Sequence, residues 1–277
     1  MFMKMRRRSN IIPRTTSDLV ATSFLAIMIP IIYYFELWVV LPSVHNPGTL
    51  MHGIHFALGS FLLYNVTSNF LAVILCDTSL KGVILSPDDS KSRRFCASCE
   101  CFAPPRSWHC NICKTCILKR DHHCVFTGCC IGHRNHRFFF YLVLYMFIAT
   151  SYATYYNTFF VLERVSFRSW WDISKIIFPF AMLAVYPSAE QIYLALFQLT
   201  IIGLALTAIL FAYHFNLLKN GTVVYERKSR LYDFGFKQNL HTVFGERWYL
   251  TWISPTIESY LPHDGIHWDV KSTNKGK

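Results

Sequence analysis

Residues 96–130 read CASCECFAPPRSWHCNICKTCILKRDHHCVFTGCC, and this stretch holds nine of the ten cysteines of the chain. Cysteines two residues apart recur in it, as in Cys96-x2-Cys99 and Cys110-x2-Cys113. Two thiolates at this spacing can bind one Zn²⁺ from a tight turn, because tetrahedral zinc accepts clustered sulfur ligands. Together with His109, His122 and His123, the cysteines predict two closed, structural four-ligand zinc sites, with four groups left over.

The tetrapeptide Asp121-His122-His123-Cys124 contains the groups of a catalytic triad. In an extended backbone alternate side chains share a side, so His122 and Cys124 face one way and His123 faces the other. His123 can then bind zinc, while His122 accepts the thiol proton of Cys124 and lowers its pKa. Asp121 would orient His122, which requires a bend in the backbone between them. The alternative is that Cys124 is a further ligand or a buried thiol.

Four stretches are long and apolar enough to cross a bilayer core of about 30 Å as helices. They are Leu19–Leu41, His52–Cys76, Phe138–Leu162 and Ile192–Leu218. Only the first contains a charged residue, Glu36, which we expect to reach the headgroups; Pro30 can kink this helix. The 12 apolar residues 176–187 predict an interfacial or re-entrant segment, with a fifth span as the alternative.

The composition argues against a wholly water-soluble enzyme, because 53% of the residues are hydrophobic and only 16% are charged. Of the 27 Lys and Arg residues, 24 lie in residues 1–18, 77–137 and 219–277, which predicts that these segments are cytosolic. Their spread over three segments does not favour nucleic-acid binding. In the reducing cytosol clustered cysteines bind metal more often than they form disulfides, which opposes a lumenal disulfide-rich module.

The sequence therefore predicts an all-α polytopic membrane protein with four transmembrane helices. A small cytosolic zinc-binding, cysteine-rich domain lies between helices 2 and 3 in this prediction. The predicted segments are a basic N-terminus (1–18), helices 1 and 2 (19–76), the zinc domain (77–137), helices 3 and 4 with a lumenal loop (138–218) and a cytosolic tail (219–277).

The tail contains a stripe of apolar residues at helical spacing, which predicts a short amphipathic helix. The stripe consists of Phe236, Leu240, Val243 and Phe244. Trp248, Tyr249 and Trp252 follow it, in the manner of residues that anchor a chain at a membrane surface. Packing of the tail on its own domain is the alternative.

A nucleophile beside the membrane favours a substrate that is partly lipid. Cys124 lies 14 residues before the third predicted span, and the cysteine-rich segment begins where the second ends. Burial of an acyl chain is worth about 0.8 kcal/mol per CH₂, so a long chain stays in lipid or a helix-lined cavity while its polar carrier stays in water. An activated acyl thioester suits both the position and the chemistry of Cys124.

Residues Cys96–Phe139 resemble the cysteine-rich domain of the DHHC-type protein S-acyltransferases, or palmitoyltransferases. The resemblance rests on the cysteine spacings, on Pro105-Arg106, on the Asp121–Cys124 tetrapeptide and on Asn135-x3-Phe139. It extends to the four spans and to two tail motifs, Tyr232-Asp233-x-Gly235 and Asn239-x4-Phe244-Gly245.

The resemblance implies the composition of two interleaved zinc sites. One would be held by Cys96, Cys99, His109 and Cys116, and the other by Cys110, Cys113, His123 and Cys130.

The resemblance also implies the reaction. Cys124 would take the acyl chain of a long-chain acyl-CoA and pass it to cysteines of protein substrates at the cytosolic membrane face. His122 would be the base and Asp121 its orienting partner. Arg106 and Asn239 are expected to face the CoA headgroup, with counter-charge and tail packing as alternatives. The family suggests an endomembrane location, in the ER or the Golgi.

Several positions depart from the family pattern, as they do in a divergent mammalian branch of the family. Val125–Cys129 replace the usual Pro-Trp-Val-Asn-Asn, and Asp77-Thr78-Ser79 replace Asp-Pro-Gly. The Thr-Thr-x-Glu motif survives only as Thr222 and Glu226, which weakens any role for its threonines.

These departures motivate an alternative function, a catalytically weak or inactive zinc-binding membrane scaffold of the same fold. Retention of Asp121, His122 and Cys124 together argues against it, because a scaffold needs only the eight ligands. A membrane-anchored cross-brace ubiquitin ligase is disfavoured because its C-x-H step and final C-x2-C pair do not occur in the required order.

Overall fold

The structure is a computed structural model that describes residues 5–6, 11–85, 94–164 and 169–271. Parts of the predicted basic N-terminus, zinc domain, lumenal loop and tail lie outside the described residues. The described helices are α1 (Thr16–Phe35), α2 (Leu41–Val44), α3 (Leu50–Leu75), α4 (His136–Leu162), α5 (Trp170–Ile177), α6 (Pro179–Val185), α7 (Ala189–Lys219) and α8 (Phe236–Phe244).

Within the described residues, four helical segments have the length and apolar composition needed to cross a membrane, which confirms the predicted number of spans. They are Thr16–Val44, Leu50–Leu75, His136–Leu162 and Ala189–Lys219. The apolar stretch 176–187 is divided between α5 and α6, which have 8 and 7 residues. At about 1.5 Å per residue, neither is long enough to span a bilayer.

The first span is continuous through Pro30 and changes to a π-helical turn over Glu36–Val40. The expectation that Glu36 reaches the headgroups was wrong. Its side chain is buried, and the Asn157 amide donates a 2.7 Å hydrogen bond to Glu36 Oε1. A partner on another helix satisfies the carboxyl group where water is absent, which is the usual arrangement for polar groups inside a membrane protein.

The cysteine-rich segment forms three short antiparallel hairpins. Each strand has three residues, and a two-stranded hairpin of this size is marginal by itself in water. The hairpins are therefore held by their cysteine and histidine clusters and by a small core that contains Leu80, Ala103 and Leu118. The paired strands are β1 (Arg94–Cys96) with β2 (Cys101–Ala103), β3 (Trp108–Cys110) with β4 (Thr115–Ile117), and β5 (His122–Cys124) with β6 (Cys129–Ile131).

The chain divides into two compact units. One is built from Met1–Ala26, Thr67–Leu142 and Ala212–Lys277, and it contains the cysteine-rich segment and the tail. The other is built from Ile27–Val66 and Val143–Phe211. Its apolar core contains Phe35, Val40, Phe160, Val161 and Leu194.

The tail contains the predicted amphipathic helix as α8. Val243 and Phe244 are buried, and the Phe244 ring lies 4.9 Å from the ring of Tyr141. The end of this helix therefore packs on its own unit. Tyr249 and Trp252 remain about half exposed, at 58% and 48%, and keep the surface position of an interfacial anchor.

Candidate active site and metal centres

The first cysteine and histidine cluster joins the β1–β2 turn to the β3–β4 hairpin. Cys96 ends β1 and Cys99 lies in the turn after it, while His109 and Cys116 are directly paired across β3 and β4. His109 Nδ1 lies 3.2 Å from the Cys99 sulfur and 3.7 Å from the Cys96 sulfur. Sulfur and nitrogen ligands of one tetrahedral Zn²⁺ are about 3.6 Å apart, so this cluster could hold one ion.

The second cluster contains Cys110, Cys113, His123 and Cys130. His123 Nδ1 lies 3.4 Å from the Cys113 sulfur and 3.7 Å from each of the other two sulfurs. The sulfurs of Cys113 and Cys130 are 3.7 Å apart, against about 3.8 Å for two thiolates on one zinc ion. The structure thus brings together both implied ligand sets, and each has the four closely spaced ligands of a closed structural site.

Asp18 is a partner of the second cluster that the sequence interpretation missed. It lies in the first turn of α1 and is fully buried. Both of its carboxylate oxygens are 3.3 Å from His123 Nε2. A carboxylate that accepts the outer N–H of a ligating histidine fixes its tautomer and leaves the other nitrogen for the metal. Asp18 can be seen in the sequence beside the first predicted span, but its contact with a residue 105 positions away cannot.

Strand β5 separates the functions of the two adjacent histidines. His123 faces the second cluster, whereas the His122 imidazole interacts electrostatically with the thiol of Cys124, two positions further along the strand. Asp121 precedes the strand, and its Oδ2 lies 2.6 Å from His122 Nδ1. Since Nδ1 is bonded to the carboxylate, Nε2 is the ring nitrogen left for the sulfur. Carboxylate, imidazole and thiol therefore follow one another in the order suited to an activated nucleophile.

The electrostatics of this chain favour a charged pair. Burial alone would raise the pKa of Cys124, but hydrogen bonds with His122 and Thr127 and the charge of His122 lower it overall. Burial would lower the pKa of His122, but its bonds with Asp121 and Cys124 raise it to about 9. Burial opposes ionisation of Asp121 as well, yet the hydrogen bond from His122 holds its pKa well below the usual range. These opposite shifts favour a thiolate beside an imidazolium.

Asp121 is held from a second side by residues that sequence reasoning missed. The Val224 N–H donates a 2.9 Å hydrogen bond to Asp121 Oδ1, from the 3₁₀ turn that follows α7. His214 Nδ1, from α7, lies 3.7 Å from Asp121 Oδ2. The Phe139 ring packs edge-on against His122 and His214, at 5.0 and 4.9 Å. The backbone N–H that binds Asp121 therefore comes from the Thr-Thr-x-Glu motif, at a position where valine replaces threonine. His214 is the one histidine of the fourth predicted span.

The residues after Cys124 depart from the family pattern but still hold the Cys124 backbone in a tight turn. Thr127 is buried, and its hydroxyl and backbone N–H donate hydrogen bonds of 3.5 and 3.3 Å to the Cys124 backbone carbonyl. Cys129 lies directly opposite Cys124 in the β5–β6 pair, with its sulfur 3.5 Å from Thr127 Oγ1. Burial raises the pKa of Cys129 to about 11, which favours a packing role for this thiol. Cys101 lies opposite Cys96 and is half-buried.

The Arg106 guanidinium is directed into the protein. The residue is 5% exposed, and its Nε donates a 2.9 Å hydrogen bond to Glu226 Oε2. Its Nη2 donates to the Gly221 carbonyl at 3.1 Å. The guanidinium also lies over the rings of Tyr232 and Trp268, at 4.1 and 4.6 Å. This environment favours a structural ion pair over contact with a CoA headgroup.

Asn239 is also engaged within the protein. Its Nδ2 donates to the Lys219 carbonyl and to Asp233 Oδ1, at 2.9 Å each. Its Oδ1 accepts a 3.4 Å hydrogen bond from the Phe234 N–H. The residue is 3% exposed, so the geometry favours tail packing, the second alternative given for it.

Comparisons with known proteins agree with this site. A family model described as DHHC palmitoyltransferase matches residues 89–230. A zebrafish (Danio rerio) protein named probable palmitoyltransferase ZDHHC24 is 33% identical over 83% of this chain and 80% of its own length. Its human (Homo sapiens) namesake is 30% identical over 79% of each chain. Human palmitoyltransferase ZDHHC15 is 28% identical over 74% of this chain and 58% of its own length.

Proposed function

Because the chain belongs to the DHHC palmitoyltransferase family, we propose that it transfers a long acyl chain from acyl-CoA to cysteines of protein substrates through a thioester on Cys124. Membership of this family confirms the resemblance noted in the sequence, and it makes the protein an S-palmitoyltransferase. The observation that carries the proposed mechanism is the 2.6 Å hydrogen bond between the Asp121 carboxylate and the His122 imidazole, whose electrostatic interaction with Cys124 lowers the pKa of that thiol.

The first half-reaction loads the enzyme. His122 holds the proton of the Cys124 thiol, and the thiolate attacks the carbonyl carbon of the acyl-CoA thioester. The new carbon–sulfur bond forms as the bond to the CoA sulfur breaks. His122 returns the proton to the departing CoA thiolate, and Asp121 stabilises the imidazolium between these steps.

The second half-reaction transfers the chain. A cysteine thiol of a protein substrate gives its proton to His122 and attacks the Cys124 thioester. The acyl chain moves to the substrate sulfur, and Cys124 leaves as the thiolate. Because the chain stays in lipid while the sulfurs meet at the surface, we infer that substrates carry cysteines next to the membrane on its cytosolic face. The proposed location is the ER or Golgi membrane, with both termini and the zinc domain cytosolic.

The two metal clusters have a structural function in this proposal. Zn²⁺ in closed Cys₃His sites would fold the segment 96–130 and fix β5. The family and the chemistry of the ligands support zinc in both clusters. Neither zinc ion would bind the acyl group, because a closed four-ligand site has no open coordination position.

Labelled acyl-CoA tests the proposal on purified full-length protein in detergent. We expect hydroxylamine-sensitive label on the parent chain and none on Cys124→Ser, with unchanged zinc content in both. Cys129→Ser is the matched control, because it removes the opposing thiol of the same hairpin and should still label. A zinc-replete parent that takes up no label would favour the scaffold function instead.

A further inference from the structure

The catalytic histidine and aspartate form part of a third cluster of metal-ligating side chains. Asp121, His122 and His214 each direct one ligand atom into a common space, with all three atoms within 4.8 Å of one another. This cluster is separate from the two Cys₃His sites and contains no cysteine. Two imidazoles and a carboxylate are a ligand set that Zn²⁺ binds in proteins, usually with a fourth position left open.

His214 is the observation that points to a ligand. Its side chain is 6% exposed, and its buried Nδ1 has no hydrogen-bond partner among the residues that the structure describes. That nitrogen lies 3.7 Å from Asp121 Oδ2, which is too long for a hydrogen bond. A buried polar atom without a partner lowers the stability of the folded protein. A ligand that binds reversibly to His214 Nδ1 would explain its position, which packing alone does not.

The distances fit an ion after a small adjustment. Two oxygen or nitrogen ligands on a tetrahedral Zn²⁺ with bonds of about 2.0–2.1 Å lie about 3.3 Å apart. The observed separations from Asp121 Oδ2 are 2.6 Å to His122 Nδ1 and 3.7 Å to His214 Nδ1. The distance to His122 must increase and the distance to His214 must decrease, each by less than about 1 Å. Small changes of the side-chain torsion angles can supply this.

We propose that Asp121, His122 and His214 form a third, reversible Zn²⁺ site, and that zinc bound there inhibits acylation of Cys124. The inhibitory effect rests on the proposed function. The ion replaces the proton on His122 Nδ1, and that proton passes to solvent. A histidine that is metallated at Nδ1 carries its remaining proton on Nε2. To return the Nε2 proton to the CoA thiolate, His122 would then have to become an imidazolate, which makes it a much weaker acid than the imidazolium, and Asp121 no longer orients it.

Access and reversibility follow from burial. The His122 side chain is 25% exposed, which gives the ion a route from solvent. Three ligands and an open position bind zinc less firmly than the closed four-ligand clusters. We therefore expect the third ion to exchange at free zinc concentrations at which the two structural sites stay filled.

Zinc stoichiometry tests the site without acyl-CoA. The full-length protein in detergent, with both structural sites filled, is equilibrated with Zn²⁺ at free concentrations set by a chelator. We expect the parent to rise from two to three bound ions per chain. His214→Gln should stay at two in the same range. His241→Gln, a control on α8 outside the cluster, should reach three.

Cys124→Ser separates this site from simple zinc capture by the nucleophile, because it keeps all three proposed ligands. It should still bind the third ion. Asp121→Asn keeps the shape of the carboxyl group, removes its charge, and should lower affinity for the third ion at least about tenfold. If His214→Gln fails to retain its two structural ions, the affinity of Asp121→Asn for the third ion tests the site instead.

Self-acylation at the same zinc concentrations links the site to activity. Label on the parent should fall with the midpoint of third-ion uptake, and excess chelator should restore it. A parent that stays at two ions, a His214→Gln protein that still binds three, or a Cys124→Ser protein that binds two would overturn the site. A parent that binds three ions but never labels, even with chelator present, would instead contradict the proposed function.

Discussion

His122 and His123 are neighbours in the sequence, yet they meet different chemistry because β5 turns them to opposite sides. His123 lies against three sulfurs and is held by Asp18. His122 lies between a carboxylate and a thiol. The alternation of side chains along an extended strand is sufficient to place His123 in a cluster of metal ligands and His122 beside the thiol of Cys124.

This difference predicts opposite phenotypes for two alanine substitutions. His122→Ala should slow self-acylation by about 10²- to 10⁴-fold, the usual contribution of a general base, while both zinc ions remain. His123→Ala should release about one zinc per chain and make the segment sensitive to protease, since a closed site supplies folding free energy. Zinc content, limited proteolysis and label uptake on both proteins check this. Equal zinc content and equal protease resistance would contradict the division.

Lys119 predicts a specific dependence of stability on pH. It is 2% exposed, and burial, with a smaller contribution from Arg106, lowers its pKa to about 7. Between pH 7 and the ordinary lysine value the unfolded chain binds the proton and the folded chain does not. The Lys119 contribution to stability therefore increases with rising pH across this window, by at most about 1.4 kcal/mol per unit.

Lys119→Met keeps the apolar volume and removes the titration. We expect its melting temperature to rise less steeply between pH 7 and pH 10 than that of the parent. Lys237→Met, on the exposed side of α8, is the matched control and should follow the parent. Parallel curves for all three proteins would show that Lys119 does not titrate in this range.

The 3₁₀ turn Val224–Glu226 connects the tail to the catalytic aspartate. Its first residue donates a backbone hydrogen bond to Asp121, and its last forms a 2.8 Å ion pair with Arg106. The Arg106 side chain is 1% exposed and the Glu226 side chain 11%. Removal of one partner of so buried a pair leaves the other charge unpaired.

Arg106→Met and Glu226→Gln should each lower stability by about 3–5 kcal/mol. Both should also reduce the self-acylation rate, because the turn that holds Asp121 loses its anchor. The double variant should lose less stability than the sum of the two single losses, as partners in one ion pair do. Thermal melting and label uptake of the three proteins measure this, and strictly additive losses would argue against the pair.

The elements that the sequence could predict are those set by local composition. Apolar length defined the four spans, and C-x2-C spacing located the metal knuckles, because both signals lie in neighbouring residues. Glu36, Asp18 and His214 were not predicted correctly or were missed. Each is explained by a partner more than 90 positions away in the chain, a relation that periodicity and spacing do not contain.

For the whole molecule, the distribution of charge predicts the orientation in the membrane. The segments 1–18, 77–137 and 219–277 carry 24 of the 27 basic residues, and the loop 163–191 carries three. Acceptor sites for N-glycosylation introduced singly into each segment test this prediction. Only a site in 163–191 should be modified when the protein is made in cells. Modification of a site in 77–137 would place the cysteine-rich domain in the lumen and exclude a cytosolic acyl-CoA substrate.

The central proposal is that the acyl chain is carried on one sulfur, that of Cys124. Peptide mass spectrometry of the parent after a single turnover with palmitoyl-CoA locates the chain. We expect palmitoyl thioester on the peptide containing Cys124, assigned to that residue by fragmentation, and its disappearance once a protein substrate is added. Palmitate on Cys129 or Cys101 with an unmodified Cys124 would contradict the mechanism, because Cys124 is the thiol that the Asp121–His122 pair activates in it.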